Sequence, residues 1–372
     1  MFDKKAEEMP NLTYKFITYK ELIDGTYKDA YIPQDDKFPV TSHLTPSLRN
    51  AMIACPGNND ESKTFMKVCV DEENKEIGRA FCFGTRIKAG GRVYGAGTGF
   101  GFEVIEEYRK EGVGADLLLM TRNEFDFVLV AGISLKAFPL YRKLRYHLFE
   151  VQQFYKVRHA RYVVKPRDLK GWLSLEKKTV KLKLKDIPNL IKYYELKRKV
   201  LIKKETIVPE WVTDMVANDG HQFMEVHDRE WFQWNLDYNT YGFDEDIQSF
   251  YSVLDRNNKP LGFFMTKERL VQKSGPDKGL IRGTVVEWGA CDKKALSESD
   301  INLLAMYSFS KRIDVIFTLA CESDTASQLL RMGFKERASF KAGIKDKKKQ
   351  LENIGDQQRW RLRYGMTNMI IL

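Results

Sequence analysis

Little in this chain is arranged to hold a metal. Its five cysteines, Cys55, Cys69, Cys82, Cys291 and Cys321, include no C-x-x-C pair, which excludes zinc-ribbon and thioredoxin-type motifs and fits a reducing cytoplasm. Histidine is just as sparse: His221 and His227 stand without a neighbouring cysteine or an H-E-x-x-H pattern, so no metal ligand set is expected. Long hydrophobic runs are missing too. The longest, Phe125 to Ile133, is interrupted by Asp126 and suits a buried strand, and the opening Met-Phe-Asp-Lys-Lys-Ala-Glu-Glu has no apolar signal core. A dinucleotide fingerprint is also absent. Gly95, Gly97, Gly99 and Gly101 crowd together, yet no register reads G-x-G-x-x-G, and more strand follows where a helix should. Their alternation puts them on one strand face, which either admits a ligand or another backbone, or marks a strained or bulged strand.

What remains is a large, basic chain of mixed α/β pattern. At 372 residues with 43% apolar side chains it is long enough for two domains, each with a core. The net charge of +10 suits a phosphate-rich ligand, an acidic substrate, a nucleic acid or an anionic membrane surface, and does not by itself choose among them. Basic residues gather at Lys165 to Lys185, read as a linker, and at Lys341 to Lys349, read as a loop. A helical piece near Leu48 to Ala54 precedes strands at Thr64 to Val70, Glu76 to Arg86 and Arg92 to Ile105, with turns at Asp71 to Asn74 and Lys88 to Gly91. A helix to about Asn123, a buried strand at Phe127 to Ala131 and an amphipathic helix at Ser134 to Leu144 should follow.

The stretch that organises this order is Phe100 to Leu119. Gly112 and Gly114 open a helix directly after a strand and a charged turn. Small residues in that first turn leave backbone N–H groups of residues 109 to 115 pointing outward, where the helix dipole favours a phosphate or pyrophosphate. The pattern Arg109-x-x-Gly112-x-Gly114-Ala115, set between Val104-Ile105-Glu106-Glu107-Tyr108 and Leu117-Leu118-Leu119, resembles the acetyl-CoA signature of the GCN5-related N-acetyltransferase (GNAT) family. The order of elements over residues 64 to 160 is also that family's core order. The resemblance implies that Arg109, Lys110, Glu111, Gly112, Val113, Gly114 and Ala115 hold the CoA pyrophosphate. It implies too that Phe102, Glu103 and Val104, at the splayed end of the preceding strand, meet the pantetheine arm and present an amide to the thioester carbonyl.

Further on, Ala137-x-x-Leu140-Tyr141-x-Lys143-x-Arg145-Tyr146 resembles the family's A-x-x-L-Y-x-K-x-G-F segment, whose tyrosine protonates the leaving thiolate. Tyr141 takes that place, and a phenol with a pKa near 10 carries its proton at neutral pH. The chain departs from the family at Arg145 for Gly, Tyr146 for Phe and Ser134 for the usual Asn. For the general base, Glu103 is the best candidate among Glu103, Glu106 and Glu107, although some family members use water alone.

The second half repeats the pattern. After Pro166 a lysine-rich stretch leads to an alternating strand at Thr179 to Leu184 and a helical run at Ile187 to Ile202. The chain is divided into residues 1–168, carrying the acyl-CoA site, and residues 169–372. Anchored on Gly333-Phe334, Leu329 falls at the place of Tyr141, an offset of 188 residues read from the numbering. Where the glycine loop should recur the chain reads Asp292-Lys293-Lys294-Ala295-Leu296-Ser297, with no glycines and an acid where phosphate would sit. That half therefore reads as a degenerate copy that shapes the acceptor pocket. Trp231, Trp234 and Tyr238, beside Gln233, Asn235 and Asp237, suit a polar ring-like ligand such as a sugar, or else form an amphipathic helix docked on the sheet.

The whole is expected to be an α/β protein with a mixed sheet and two tandem GNAT-like domains. By resemblance it is a cytoplasmic N-acetyltransferase moving an acetyl or short acyl group from acyl-CoA to a primary amine of a small molecule, of amino sugar or amino acid type, by direct attack. No metal, membrane insertion or nucleic-acid partner is expected. Two other readings compete: a CoA-binding or scaffold protein without transfer, and an aminoacyl-tRNA-dependent transferase akin to the Fem peptidyltransferases, which generally lack a CoA loop.

Overall fold

The apolar runs of the first half form β1 (Thr13–Thr18), β2 (Thr64–Val70), β3 (Glu76–Ala89), β4 (Arg92–Val104), β5 (Phe127–Ala131) and β6 (His147–Val157). Between them lie α1 (Tyr19–Asp24), α2 (Pro46–Ile53), α3 (Val113–Glu124) and α4 (Phe138–Lys143). Then come α5 (Leu169–Lys185), α6 (Ile187–Lys199), β7 (Leu201–Glu205), α7 (Trp211–Ala217), β8 (Phe223–Glu225) and α8 (Arg229–Asp237). The second half continues through β9 (Ile247–Leu254), β10 (Pro260–Leu270), β11 (Ile281–Ala290), α9 (Glu298–Ser308), β12 (Val315–Ala320), α10 (Ser323–Arg331), β13 (Lys335–Asp346) and β14 (Trp360–Arg361). This computed structural model describes residues 11–39, 43–58, 60–163, 169–238, 246–271, 278–310 and 312–366.

The long strands make one mixed sheet, in the order β1-β2-β3-β4-β5-β13-β6-β12-β11-β10-β9-β7. Along this path the neighbours are antiparallel except β4·β5 and β11·β12, the two pairs joined by a helical crossover through α3 or α9. The order is nearly a palindrome with an exchange at its centre. The last strand of each half leaves its own half: β6 pairs with β12, β13 pairs with β5, and the two exchanged strands pair with each other. One apolar core also crosses between halves, joining Phe65, Phe81 and Phe100 to Phe250, Phe263 and Val286 beneath α1, α2 and α8.

The two halves close one helix in the same way. After α4, the Arg145 amide donates to the Arg142 carbonyl at 2.9 Å and the Tyr146 amide to the Tyr141 carbonyl at 3.1 Å. After α10, Gly333 donates to Leu330 at 2.9 Å and Phe334 to Leu329 at 3.1 Å. Both are Schellman closures, which require a left-handed residue: Arg145 has φ 59° and Gly333 has φ 84°. The position where the sequence departs from glycine thus keeps the glycine conformation.

Several elements differ from expectation. Thr179 to Leu184 is not a strand but the end of α5, because Leu175 and Thr179, four residues apart, form its buried face in a segment otherwise rich in helix-forming Leu and Lys. The basic linker is therefore largely helix, and two thirds of the basic loop at Lys341 to Lys349 is strand β13. The helix expected from Ser134 begins only at Phe138, since Pro139 suits a first turn and Ser134 caps the preceding turn through Ala137 N–H at 3.2 Å. The run from Ile187 ends at Lys199, and β7 begins at Leu201.

A side chain in the left-handed region costs about 1–2 kcal/mol, part of which glycine returns through its freer unfolded chain. Arg145→Gly should therefore raise unfolding stability by about 0.5–1 kcal/mol in a urea titration. Ala at Gly84 should do the reverse and more, because its Cβ would collide with the backbone carbonyl of Gly57.

Candidate functional site

β4 and β5 run side by side only from Gly97·Val128 to Gly99·Val130. β4 continues to Val104, so residues 100–104 keep their ladder with β3 but have no ladder partner on the β5 side. The register on β3 slips here as well. Gly101 and Phe102 together stand opposite Ala80, between the pairs Phe81·Phe100 and Arg79·Glu103, and Gly101 has φ 55°. This is a β-bulge, and a Cβ at Gly101 would strike the Phe81 ring. Gly97 and Gly99 admit no ligand. Phe125 fills the space at Gly97, and Val130 and Thr121 lie 3.4 and 3.6 Å from a Cβ at Gly99.

Past Val104 the chain turns through residues 105–111 into α3, with Gly112 at its N-cap in the left-handed region, φ 82°. Nothing lies within 4 Å of a Cβ at Gly112, whereas one at Gly114 would sit 3.1 Å from Cζ of Phe102. The amides of Arg109, Glu111 and Ala115 are taken by Glu106, Tyr108 and Gly112. Those of Lys110, Gly112, Val113 and Gly114 donate to nothing among the described residues. These four, at the start of a twelve-residue helix, make an anion cradle. Arg109 acts on the loop itself: its Nε donates to the Val104 carbonyl at 3.1 Å and its guanidinium lies 3.8 Å from Glu106.

Glu103 and Tyr141 flank the unpaired end of β4 from opposite faces. Glu103 pairs across the ladder with Arg79, on the face that carries Phe81. Burial lifts its carboxyl above the usual range, against the pull of Arg109 and Arg79. Tyr141 packs with Cys82, Val128 and Val130 on the face of α3. Burial, helped by Cys82, holds its phenol well above the ordinary tyrosine range, and it makes no hydrogen bond among the described residues. Tyr146, 5.1 Å away edge-to-face, has a buried hydroxyl without a partner.

The corresponding gap in the second half is filled by the chain itself. β11 and β12 pair only from Arg282·Val315 to Thr284·Phe317, and β11 slips register at Val286. Beyond that point lies Trp360–Met366. Gly365 N–H donates to Val286 O at 3.0 Å, the Arg361 guanidinium to the carbonyl of Trp288, and the Cys321 thiol to Trp360 O at 2.8 Å. The amides of residues 294 and 295 are bound by Asp292, and Ser297 caps α9. This loop has no open cradle.

Arg361 and Arg363 enter a buried ionic network that sequence reasoning missed. Arg361 meets Glu287 at 2.9 Å and Asp219 at 2.8 Å; Arg363 meets Glu322 at 2.6 Å. His227 is held between Glu287 at 2.8 Å and Glu225 at 3.1 Å. Burial opposes its charge, but the two carboxylates overcome this and raise its pKa to about 9. The partners lie up to 142 residues apart, so no local spacing announces them.

Beside this network a small cavity opens where β3 has lost β2 and not yet met β8. Phe83, Thr85, Arg86, Cys55 and Trp231 line it. Trp231 stacks on His227 at 3.9 Å and its buried indole N–H has no acceptor. Thr85 donates to Glu225 at 2.6 Å. Trp234 is not at this cavity: its N–H donates to Ala51 O at 2.7 Å inside the apolar core, and Tyr238 packs against the same core. Tyr241 lies outside the described residues.

No family model matches the chain, and no curated protein sequence matches it. Solved structures do. Saccharomyces cerevisiae N-myristoyltransferase with bound myristoyl-CoA and inhibitors aligns at TM-score 0.56 and 12% identity, covering 93% of this chain and 82% of that one. A probable N-acyltransferase of Enterococcus faecalis V583 aligns at 0.52 and 12%, covering 91% and 74%. A GCN5-related N-acetyltransferase of Anabaena variabilis ATCC 29413 aligns at 0.51 and 10%, covering 90% and 72%. At these identities the likeness is one of fold: the mixed sheet is that of the GNAT acyltransferases.

His227 couples this geometry to pH. Its folded pKa lies above the ordinary histidine value, so its stabilisation is complete below about pH 6.5 and is lost as pH rises through about 9. The urea midpoint should fall between pH 6.5 and 9.5 in the wild type. In His227→Gln, which removes the cation held between two buried carboxylates, stability should be lower throughout and that alkaline fall should be absent.

Proposed function

We infer that the protein is an acyl-CoA-dependent N-acyltransferase whose acyl donor binds in the first half. The observation that carries this reading is the adjacency of four open amides at the start of α3 to a bulged strand end with no partner. The donor set fits: uncommitted N–H groups and an uncrowded Gly112 suit a pyrophosphate, and the bare edge of residues 100–104 suits an extended amide-bearing arm. A bound acyl-CoA supplies an acetyl or short acyl group as a thioester. Amides near Phe102 to Val104 would donate to its carbonyl oxygen. Glu103, raised in pKa on one face, would take the proton of an attacking amine, and Tyr141 on the other face would give its proton to the departing sulfur.

The acceptor we assign is a small primary amine of amino acid or amino sugar type. The cavity beside β3 supports this by its position and its lining. Phe83 in its lining packs 5.4 Å from Phe100, where the unpaired stretch begins, on the Glu103 side of the sheet. Trp231 lines the cavity, and its indole N–H has no acceptor among the described residues. The second half, residues 169–372, is read as a degenerate copy of residues 1–168; the shared helix closures and the filled gap between β11 and β12 support it. The cytoplasm is the setting we assign.

Isothermal calorimetry with acetyl-CoA tests the donor site first. Wild type should bind in the micromolar range, and Gly112→Glu should lose at least tenfold in affinity, since it sets a carboxylate in the cradle. Wild type that does not bind, or Gly112→Glu binding as well as wild type, would remove the reading. Tyr141→Phe should keep donor affinity and lower turnover by about 10²-fold or more once an acceptor is found by screening amino acids and amino sugars.

A further inference from the structure

α5 is anchored by a narrow strip. Leu175 and Thr179 are buried, and the Thr179 hydroxyl accepts from the Ala160 amide at 3.3 Å. The opposite side carries Leu169, Leu173, Val180 and Leu184, at intervals of four, seven and four residues, which align on one helical face. This stripe is bare: Leu169 is 76% exposed, Leu173 65%, and Trp172 beside it 56%. The next helix prolongs it with exposed Ile187, Ile191 and Tyr194.

Charge flanks the stripe on one side. Lys170, Lys177 and Lys181 lie about 80–120° round the helix from Leu169, at about 100° per residue, and Lys178 and Lys185 lie a little beyond. Six lysines against one glutamate, Glu176, give the helix a net charge of +5. None of the six is in an ion pair among the described residues. A soluble helix normally turns its apolar face inward and pairs part of its charge; this one buries only the Leu175–Thr179 strip, leaves its leucine stripe outward, and has no ion-paired lysine among the described residues.

We propose that α5 is an interfacial helix that lays the protein on an anionic lipid surface, with the leucines and Trp172 entering the headgroup boundary and the lysines meeting lipid phosphates. The combination of exposed Leu and Trp with unpaired Lys is what such a surface selects. A second copy of the chain fits poorly, because pairing two such stripes face to face brings lysine rows together. RNA would use the lysines but has no use for a leucine stripe. The helix does not cross the bilayer: no helix of the described residues is long and apolar enough to do so.

Sedimentation of the full chain with vesicles tests this. Phosphatidylcholine vesicles containing about one third phosphatidylglycerol should bind it, and pure phosphatidylcholine should bind at least tenfold less. Leu173→Asp, and separately the triple change Lys177→Glu, Lys181→Glu, Lys185→Glu, should each lower binding to the anionic vesicles tenfold or more, with unchanged melting temperatures because these side chains are exposed. Trp172 fluorescence should shift to the blue on binding, a shift missing in Trp172→Phe. Three results would overturn the proposal: no binding by the wild type, binding unaffected by either variant, or a dimer in solution that Leu173→Asp dissociates. Equal lysine-dependent binding to RNA by wild type and Leu173→Asp, with no vesicle binding, would assign the surface to nucleic acid instead.

Discussion

The pairing of β13 with β6 holds the two halves in one sheet, and the position of every functional group follows from it. β13 lies beside β5 where a self-contained first half would place β6. It thereby fixes the outer edge of the gap in which β4 ends alone. The turn that leads to Tyr141 is tied to the same strand, since Ile133 N–H donates to Lys341 O at 3.1 Å. The first half carries the glycine loop and Tyr141, but the second half supplies the strand that lies beside them.

The two gaps in the sheet show how one backbone solution has had two fates. Each half has a parallel pair that separates after three residues, and each has an extra residue in the strand before the crossover helix. Such a gap leaves backbone donors and acceptors that must be satisfied by something. In the second half Trp360–Met366 does this, locked by Arg361 and Arg363 into carboxylates on β11, α9 and the segment after β12. In the first half no described segment enters, and four amides beside the gap are free.

Much of the first half was legible because its signals are local. Phe127–Ala131, the glycine loop and the order of strands and helices all declare themselves within a dozen residues. The likeness between the two helix closures was legible through Gly333-Phe334, whose left-handed turn matches that of Arg145-Tyr146. The strand exchange was not legible, since nothing in β6 or β13 says which half its partner lies in. α5 was misread because Thr179 to Leu184 alternates as a strand does, and only the burial of Leu175 with Thr179 reveals the helical period. The network around His227 joins residues that no motif spacing connects. The glycines of β4 were the most ambiguous signal: one marks the bulge, and others make room for Phe125, Thr121 and Val130.

The exchanged strands also dictate the order in which the protein can be made. During synthesis β5 and β6 leave the ribosome with the first half, but the partners they need, β12 and β13, are encoded roughly 160 to 220 residues later. Until those emerge, the nascent first half holds strand edges that cannot be completed from its own chain, the kind of surface on which nascent chains associate. Exchanging a strand between the halves therefore carries a kinetic cost, and the half-made protein, rather than the finished one, is where this fold is most exposed to error.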